Sequence, residues 1–487
     1  MLAFHDIAAG KVSGLRVQVG KNILEAYRYL VENPDWDEST FPDSIDGRSA
    51  RPLKKIYMYL KEQVTQAVRN ESDLTTLLKK VLGLAFFLVV EVEEELQAFD
   101  VFERTNARGS PLNVADLLKN RLFAESALIP SLSERWDAII TSSESMLPRI
   151  LKYYDALRNG HNTSRKILFP HLKKQVEDLG PDVFMDEIET FSKFFNAAVD
   201  YRFTRDESNW ISTDDAYNFL YSDEIFFKRV KRSLDALTLF SVFVPIPAIY
   251  AGLNALKQFA DEEKYPELKS EYIKTLNLIE CYHFINNGVG TRATNTAEQL
   301  YAATAKAIFD AKTLSKCKEH LKSLQSGLKE IGLVEEADFS GAFLDLSYSK
   351  GADKPLIVYI FDRFNQGPFS KTPSLTIFDP QSKALINRTY EVEHISPIAT
   401  WEGDEDGLNN IGNLLVLTME TNRLAGHLDL TEKIALYKNR SCDSLSPVKD
   451  FVTWIEAEKI RNITPDTISK RTRLLAETAY RETWKPF

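Results

Sequence analysis

Two glutamates, a histidine and a set of asparagines in the last quarter of the chain are the residue types that phosphodiester hydrolysis calls for. The first segment reads Tyr390-Glu391-Val392-Glu393-His394-Ile395-Ser396-Pro397. An acidic loop (401–407) follows, then Asn409-Asn410-Ile411-Gly412-Asn413-Leu414 and Met419-Glu420-Thr421-Asn422-Arg423. Hydrolysis needs a base that deprotonates water and a cation beside the scissile phosphate. A carboxylate, an imidazole and an amide brought together by two strands and a helix meet both needs, and oxygen ligands such as Glu393 and Asn422 suit Mg²⁺ or Mn²⁺ better than zinc. Taken singly each residue has a plainer reading: a histidine on a strand is more often structural, Asn413 could close a turn and Asn422 could cap a helix. The case rests on finding them together.

The elements that must position these residues can be read from periodicity. Leu375–Ile377 and Thr389–Ile395 alternate as strands, Asn413–Leu417 is an apolar strand, Pro355–Asn365 is helical, and Asn422 opens a helix-rich tail. Strand, loop, strand and helix in that order outline a small β–β–α unit. Upstream, Ile56–Val68 reads as an amphipathic helix, Val81–Val92 as a buried strand, and Asn113 as the cap of a helix starting at Val114. Between residues 126 and 336 helical periods follow one another without a fixed repeat, for example at Ser131–Tyr154, Asp182–Tyr201, Asp214–Arg232, Lys269–Asn286 and Thr296–Ser315. The expected fold is mostly α and multidomain, with boundaries at 1–125, 126–336 and 337–487, the middle part being an α-helical scaffold.

The pattern E-H-I-x-P, then I-G-N-L, then an asparagine nine residues after Asn413, resembles the HNH (ββα-metal) nuclease motif. It resembles in particular the C-terminal domain of GmrSD-type restriction endonucleases, which act on modified phage DNA. The resemblance implies that His394 is the general base, that Glu393 and Asn422 hold Mg²⁺ or Mn²⁺, and that Asn413 orients His394, with Glu391 behind them. Ile395, Leu414 and Leu417 would form the small core. Residues 102–120, FERTNARGSPLNVADLLKN, resemble a motif near the end of that family's ParB-like, nucleotide-binding N-terminal domain, matching at Phe102, Glu103, Asn106, Arg108, Gly109, Leu112, Asp116, Leu117, Lys119 and Asn120. The family's D-G-Q-Q-R element is missing upstream, and Ile45-Asp46-Gly47-Arg48 only echoes it. The N-terminal domain is therefore expected as an α+β remnant: either the chain is an N-terminally shortened relative, or a separate protein supplies the nucleotide half. The alternative function is a DNA-binding or regulatory subunit that such a partner activates.

Arg108 and Lys119 could hold a phosphate at the start of the helix, or the turn could simply close while Asp116 and Lys119 pair. Asn287-Gly-Val-Gly-Thr-Arg292 is another glycine loop, better read as a helix-to-helix turn. From Thr431 to the last residue there are 11 basic and 8 acidic side chains, although the whole chain carries −10. Candidate DNA contacts are Arg423, Lys433, Lys470, Arg471 and Arg473. His427 and the acids at 402–406 read as surface. A net negative charge argues against nonspecific coating of nucleic acid, but a bound cation and local basic patches leave a DNA enzyme open. The three cysteines form no C-x-x-C pair, no signal peptide is recognisable, and the apolar run Leu237–Leu253 is too short and too broken by prolines to span a bilayer. A reducing cytoplasm and a buried helical hairpin are expected.

Overall fold

The structure is a computed structural model of the 487-residue chain. It describes residues 3–6, 11–15, 24–33, 36, 41–42, 44, 50–84, 114–124, 129–143, 146–199, 223–366, 377–380, 382–385, 389–397, 401, 405–426, 428–440 and 445–487. Arg108, the residues 45–48, His427 and the acids at 402–404 lie outside them. The chain divides into two units, Met1–Val92 and Glu93–Phe487.

In the first unit β1 (Ala3–Asp6) pairs antiparallel with β2 (Lys11–Leu15). Among the described residues three helices follow: α1 (Leu24–Glu32), α2 (Ala50–Ala67) and α3 (Glu71–Leu84). Ala26, Leu30, Trp36, Phe41 and Ala50 make a small core of their own. The strand expected from Val81 does not form at its beginning, because α3 continues through Val81 to Leu84. Leu74, Leu77, Leu78 and Val81 repeat at helical spacing, and the Asn70 side chain accepts from the Asp73 N–H to start the helix. The rest of that apolar run lies outside the described residues.

The second unit is mostly helical. Its first helices are α4 (Val114–Ala124), α5 (Ile129–Ser143), α6 (Leu147–Asn159), α7 (Arg165–Leu179) and α8 (Pro181–Val199). The single helix expected over Ser131–Tyr154 is two, since Pro148 in the first turn of α6 cannot continue α5 but fits a helix start. Next come α9 (Glu224–Leu239), α10 (Ile246–Gln258), α11 (Tyr265–His283), α12 (Glu298–Phe309) and α13 (Leu314–Ile331). The run Leu237–Leu253 is indeed a buried bend between α9 and α10, and Gly252 allows α10 to touch α11: a Cβ there would lie 2.7 Å from Cδ2 of Tyr272. The glycine loop after α11 is a π-helical turn (Phe284–Val289) that serves helix ends. Arg292 Nη1 and Nη2 donate to the carbonyls of Gly332 (2.6 Å) and Leu333 (3.2 Å), just past α13.

α14 (Glu336–Leu344) and α15 (Asp353–Gln366) lead to a short hairpin, β3 (Phe378–Asp379) with β4 (Ala384–Leu385). The remainder is β5 (Tyr390–His394), α16 (Glu405–Asn409), β6 (Leu414–Thr418), α17 (Met419–Ala425), α18 (Leu430–Asn439), α19 (Ser446–Ala457) and α20 (Pro465–Thr478). One continuous core reaches from Ala115 to Trp484, whose ring stacks on Phe284 at 3.8 Å. Residues 126–336 and 337–487 share this core, and α4 packs on α5, α7 and α6. No helix among the described residues is long and apolar enough to cross a membrane.

Three helices of this unit are locked by one buried carboxylate. Glu280 of α11 accepts from Arg232 Nε (3.2 Å) and Ser233 Oγ (2.7 Å) of α9 and from Tyr359 OH (2.9 Å) of α15, and pairs with Arg363 Nε at 3.2 Å. Burial pushes its pKa up, but Arg232 and Arg363 outweigh that and hold it at about 2, against 4.5 for a free glutamate. A depressed carboxylate contributes stability above its unfolded-state pKa, and that contribution is lost as pH falls through the folded value. The urea midpoint of the wild type should therefore fall between pH 4.5 and about 2 through this group. Glu280→Gln should lack that component, so the difference between the two proteins shrinks with acid; a difference constant with pH would contradict the assignment.

Candidate active site

β5 and β6 form an antiparallel pair with Tyr390 opposite Thr418, Val392 opposite Val416 and His394 opposite Leu414. Leu414 to Leu417 are all buried, as expected of a strand covered on both faces. α17 contacts both strands, completing a β–β–α unit. It starts earlier than the sequence suggested. Thr418 is its cap, accepting from the Thr421 N–H, so Asn422 sits inside the helix instead of opening it.

Along β5, Glu391 and Glu393 share one face and Val392 and His394 the other, because successive strand residues alternate. On the first face Asn422 Nδ2 donates to Glu391 Oε2 at 2.7 Å. This fixes the amide, and its Oδ1 is buried without a hydrogen-bond partner. Glu393 Oε1 is 2.6 Å from Lys433 Nζ of α18. Lys433 is fully buried, and its ammonium also donates to the carbonyls of Ile395 (3.0 Å) and His394 (3.3 Å). It is thus a buried tie on the end of β5 and is not presented to a DNA phosphate. The Asp429–Glu432 capping box begins α18 one turn earlier and aims Lys433 inward.

His394 is the last residue of the ladder and half-buried, with its Nε2 3.3 Å from Asn409 Oδ1 at the end of α16. Asn413 does not reach its ring. Its Oδ1 accepts from the Ser396 N–H (2.9 Å), its Nδ2 donates to the carbonyls of Leu408 (2.8 Å) and Ser396 (3.3 Å), and its carbonyl accepts from the Ile395 N–H (2.8 Å). Asn413 therefore holds the backbone on either side of the loop, and any effect on His394 passes through the main chain. Asn409, at the ring itself, was not singled out by the sequence; its place beside Asn410 in an Asn-Asn pair before I-G-N-L was the available signal.

The I-G-N-L turn is braced from α20. Arg471 Nη1 donates to the carbonyls of Gly412 and Leu414, both at 2.8 Å, and the guanidinium lies over the Phe451 ring at 4.9 Å. Arg471 is 3% exposed, and burial pushes its pKa down to about 9. The expected DNA contact at Arg471 is thereby corrected: a buried guanidinium spends its donors on carbonyls that would otherwise be orphaned. Asn410 Oδ1 accepts from Thr472 Oγ1 (2.6 Å) and from the Gly412 N–H (2.9 Å). A Cβ on Gly412 would meet Thr472 and lie 2.5 Å from the Ile468 carbonyl, which explains the glycine. Gly412→Ala should cost about 1–3 kcal/mol by overpacking; an unchanged thermal midpoint would show that the contact relaxes freely.

The remaining candidates are dispersed. Arg423 is exposed on α17 beside the Arg440–Glu420 ion pair (2.7 Å). Lys470 is exposed and 3.6 Å from Glu458, and Arg473 is exposed. Lys119 pairs with Asp137 of α5 at 2.8 Å. Among the described residues no three His, Cys, Asp or Glu side chains converge on a point that could hold a metal. The oxygens offered by the β–β–α unit are those of Glu391, Glu393 and Asn422.

The model of the GmrSD restriction endonuclease N-terminal domain matches residues 15–123. The model of the GmrSD restriction endonuclease C-terminal domain matches residues 334–478, a span that contains β5, β6, α17, α18 and the Arg471 brace. No curated protein matches the chain. Both terminal domains are present in order and together account for more than half of the sequence, and the chain belongs to the GmrSD restriction endonuclease family.

Proposed function

We propose that the chain is a metal-dependent, HNH-type DNA endonuclease that restricts modified phage DNA, with its site on β5, β6 and α17. The observation that carries this reading is the buried, unpartnered Oδ1 of Asn422 next to a strand bearing Glu391, Glu393 and His394. A buried oxygen without a donor is costly to keep, and a hard divalent cation is the partner that oxygen ligands suit. Glu393 and Asn422 would hold Mg²⁺ or Mn²⁺, and Glu391 positions the amide by taking its N–H. When bound, the cation would offset charge on the scissile phosphate.

His394 takes the proton from the attacking water. Nε2 faces Asn409 Oδ1 at 3.3 Å, which leaves Nδ1 as the ring nitrogen to take the proton. Lys433 holds the His394 and Ile395 carbonyls, so the ring's backbone is anchored at the strand end. Arg423, Lys470 and Arg473, all exposed, are the proposed backbone contacts to DNA. The test compares plain and modified phage DNA with Mg²⁺, Mn²⁺ or a chelator. Cleavage of modified DNA that stops in chelator is expected; equal cleavage of both DNAs would remove the modification-dependent part. Inert chain that gains activity with a separate nucleotide-binding protein would instead favour the regulatory-subunit alternative.

A further inference from the structure

Away from β5 and α17, a cavity of about 620 Å³ opens between α9, α11, α15 and the last residues of the chain. Its wall carries five cationic side chains: Arg229 and Arg232 from α9, Lys274 from α11, Arg363 from α15, and Lys485. Set against Glu280 behind the wall and Glu482, these leave an excess of three positive charges. Two of the cations are built into the interior. Arg232 is 4% exposed, with its Nη2 donating to the neutral Asn277 Oδ1 at 2.7 Å. Arg363 is 2% exposed, and its Nη1 is buried with no hydrogen-bond partner. Buried guanidinium N–H groups are normally satisfied, and Glu280 already takes the Nε side of both arginines. Burial and the neighbouring Arg232 both pull down the pKa of Arg229, so the group of cations is held together against its own repulsion.

We infer that this cavity binds a phosphate-bearing small molecule, whose phosphoryl oxygens take the free edge of Arg363 and the cations around it. Planar guanidinium groups match phosphate oxygens two at a time, whereas lysines supply point charge at the rim. The volume falls within the range of about 300–1,000 Å³ usual for small-ligand sites. Leu278, Pro486 and Phe487 provide apolar wall for the body of the ligand. The site uses none of the residues assigned to DNA cleavage, so it stands or falls independently of the nuclease reading.

The probe is inorganic pyrophosphate, titrated calorimetrically into the full chain at low salt, with a 5′-phosphorylated oligonucleotide as a second ligand. Lys274 and Lys485 are exposed at the rim, and the double change Lys274→Gln/Lys485→Gln should leave folding intact while weakening pyrophosphate at least tenfold. Arg363→Lys, which keeps the charge but loses the fork, should weaken it further, with thermal unfolding as the check on folding. His394→Ala protein should bind like the wild type. No binding to the wild type, binding unaffected by the rim variant, or binding of the oligonucleotide alone would each overturn the inference.

Discussion

Replacing His394 with alanine should lower the rate of DNA cleavage by about 10²–10⁴-fold, the range of a lost general base, while leaving the thermal midpoint close to that of the wild type. The ring is half-buried at the end of β5, and its contact is with Asn409, so truncation opens no core cavity. On the proposed role of His394 the loss should appear in kcat, because a base that acts on water in the transition state contributes little to binding DNA. Asn409→Ala should give a smaller loss of rate, since Asn409 meets the ring at 3.3 Å and the ring itself remains. If His394→Ala cut as fast as the parent, the base would have to be sought elsewhere.

Lys433→Met should be the most damaging single change for stability in this region, costing about 3–5 kcal/mol, because removing one partner of a buried ion pair leaves the other uncompensated. Glu393 would lose its cation at 2.6 Å, and the carbonyls of His394 and Ile395 would lose donors. A surface lysine pair would be worth a small fraction of this. Combining Lys433→Met with Glu393→Gln should recover part of the loss, and the coupling measured in that double-mutant cycle separates the pair from mere packing. A cost below about 1 kcal/mol for Lys433→Met would show that Lys433 is solvated in solution and free to meet DNA.

The sequence was most informative where a local period is long or where several rare residue types coincide. β5, β6 and α15 were located within one or two residues because alternation, an apolar run and a helical stripe each reflect a single local preference. The helical character of α8, α11 and α12 was legible in the same way. Val81–Leu84, expected to open a strand, is helical because an apolar run fits a strand and a helix equally and α3 had already set the helical phase at Leu74. Arg471 and Lys433 were taken for DNA contacts because a basic residue near a nuclease motif is by default on the surface; only the tertiary fold shows the carbonyls of Gly412, Leu414 and Ile395 that draw them inside. The link between Asn422 and Glu391 also depends on strand register against α17, which spacing alone does not specify. The stacking of Trp484 on Phe284 depends on the tertiary fold in the same way, since it joins parts of the chain that composition separates.

The most direct measurement of the central claim is the Mg²⁺ dependence of DNA cleavage by the wild type and by Asn422→Ala. A saturable Mg²⁺ requirement is expected for the wild type. The variant should need about 10–100-fold more Mg²⁺ for half-maximal rate, the scale of losing a ligand or its support, while keeping its fold. Cleavage that persists in chelator, or the same Mg²⁺ midpoint for both proteins, would contradict the account.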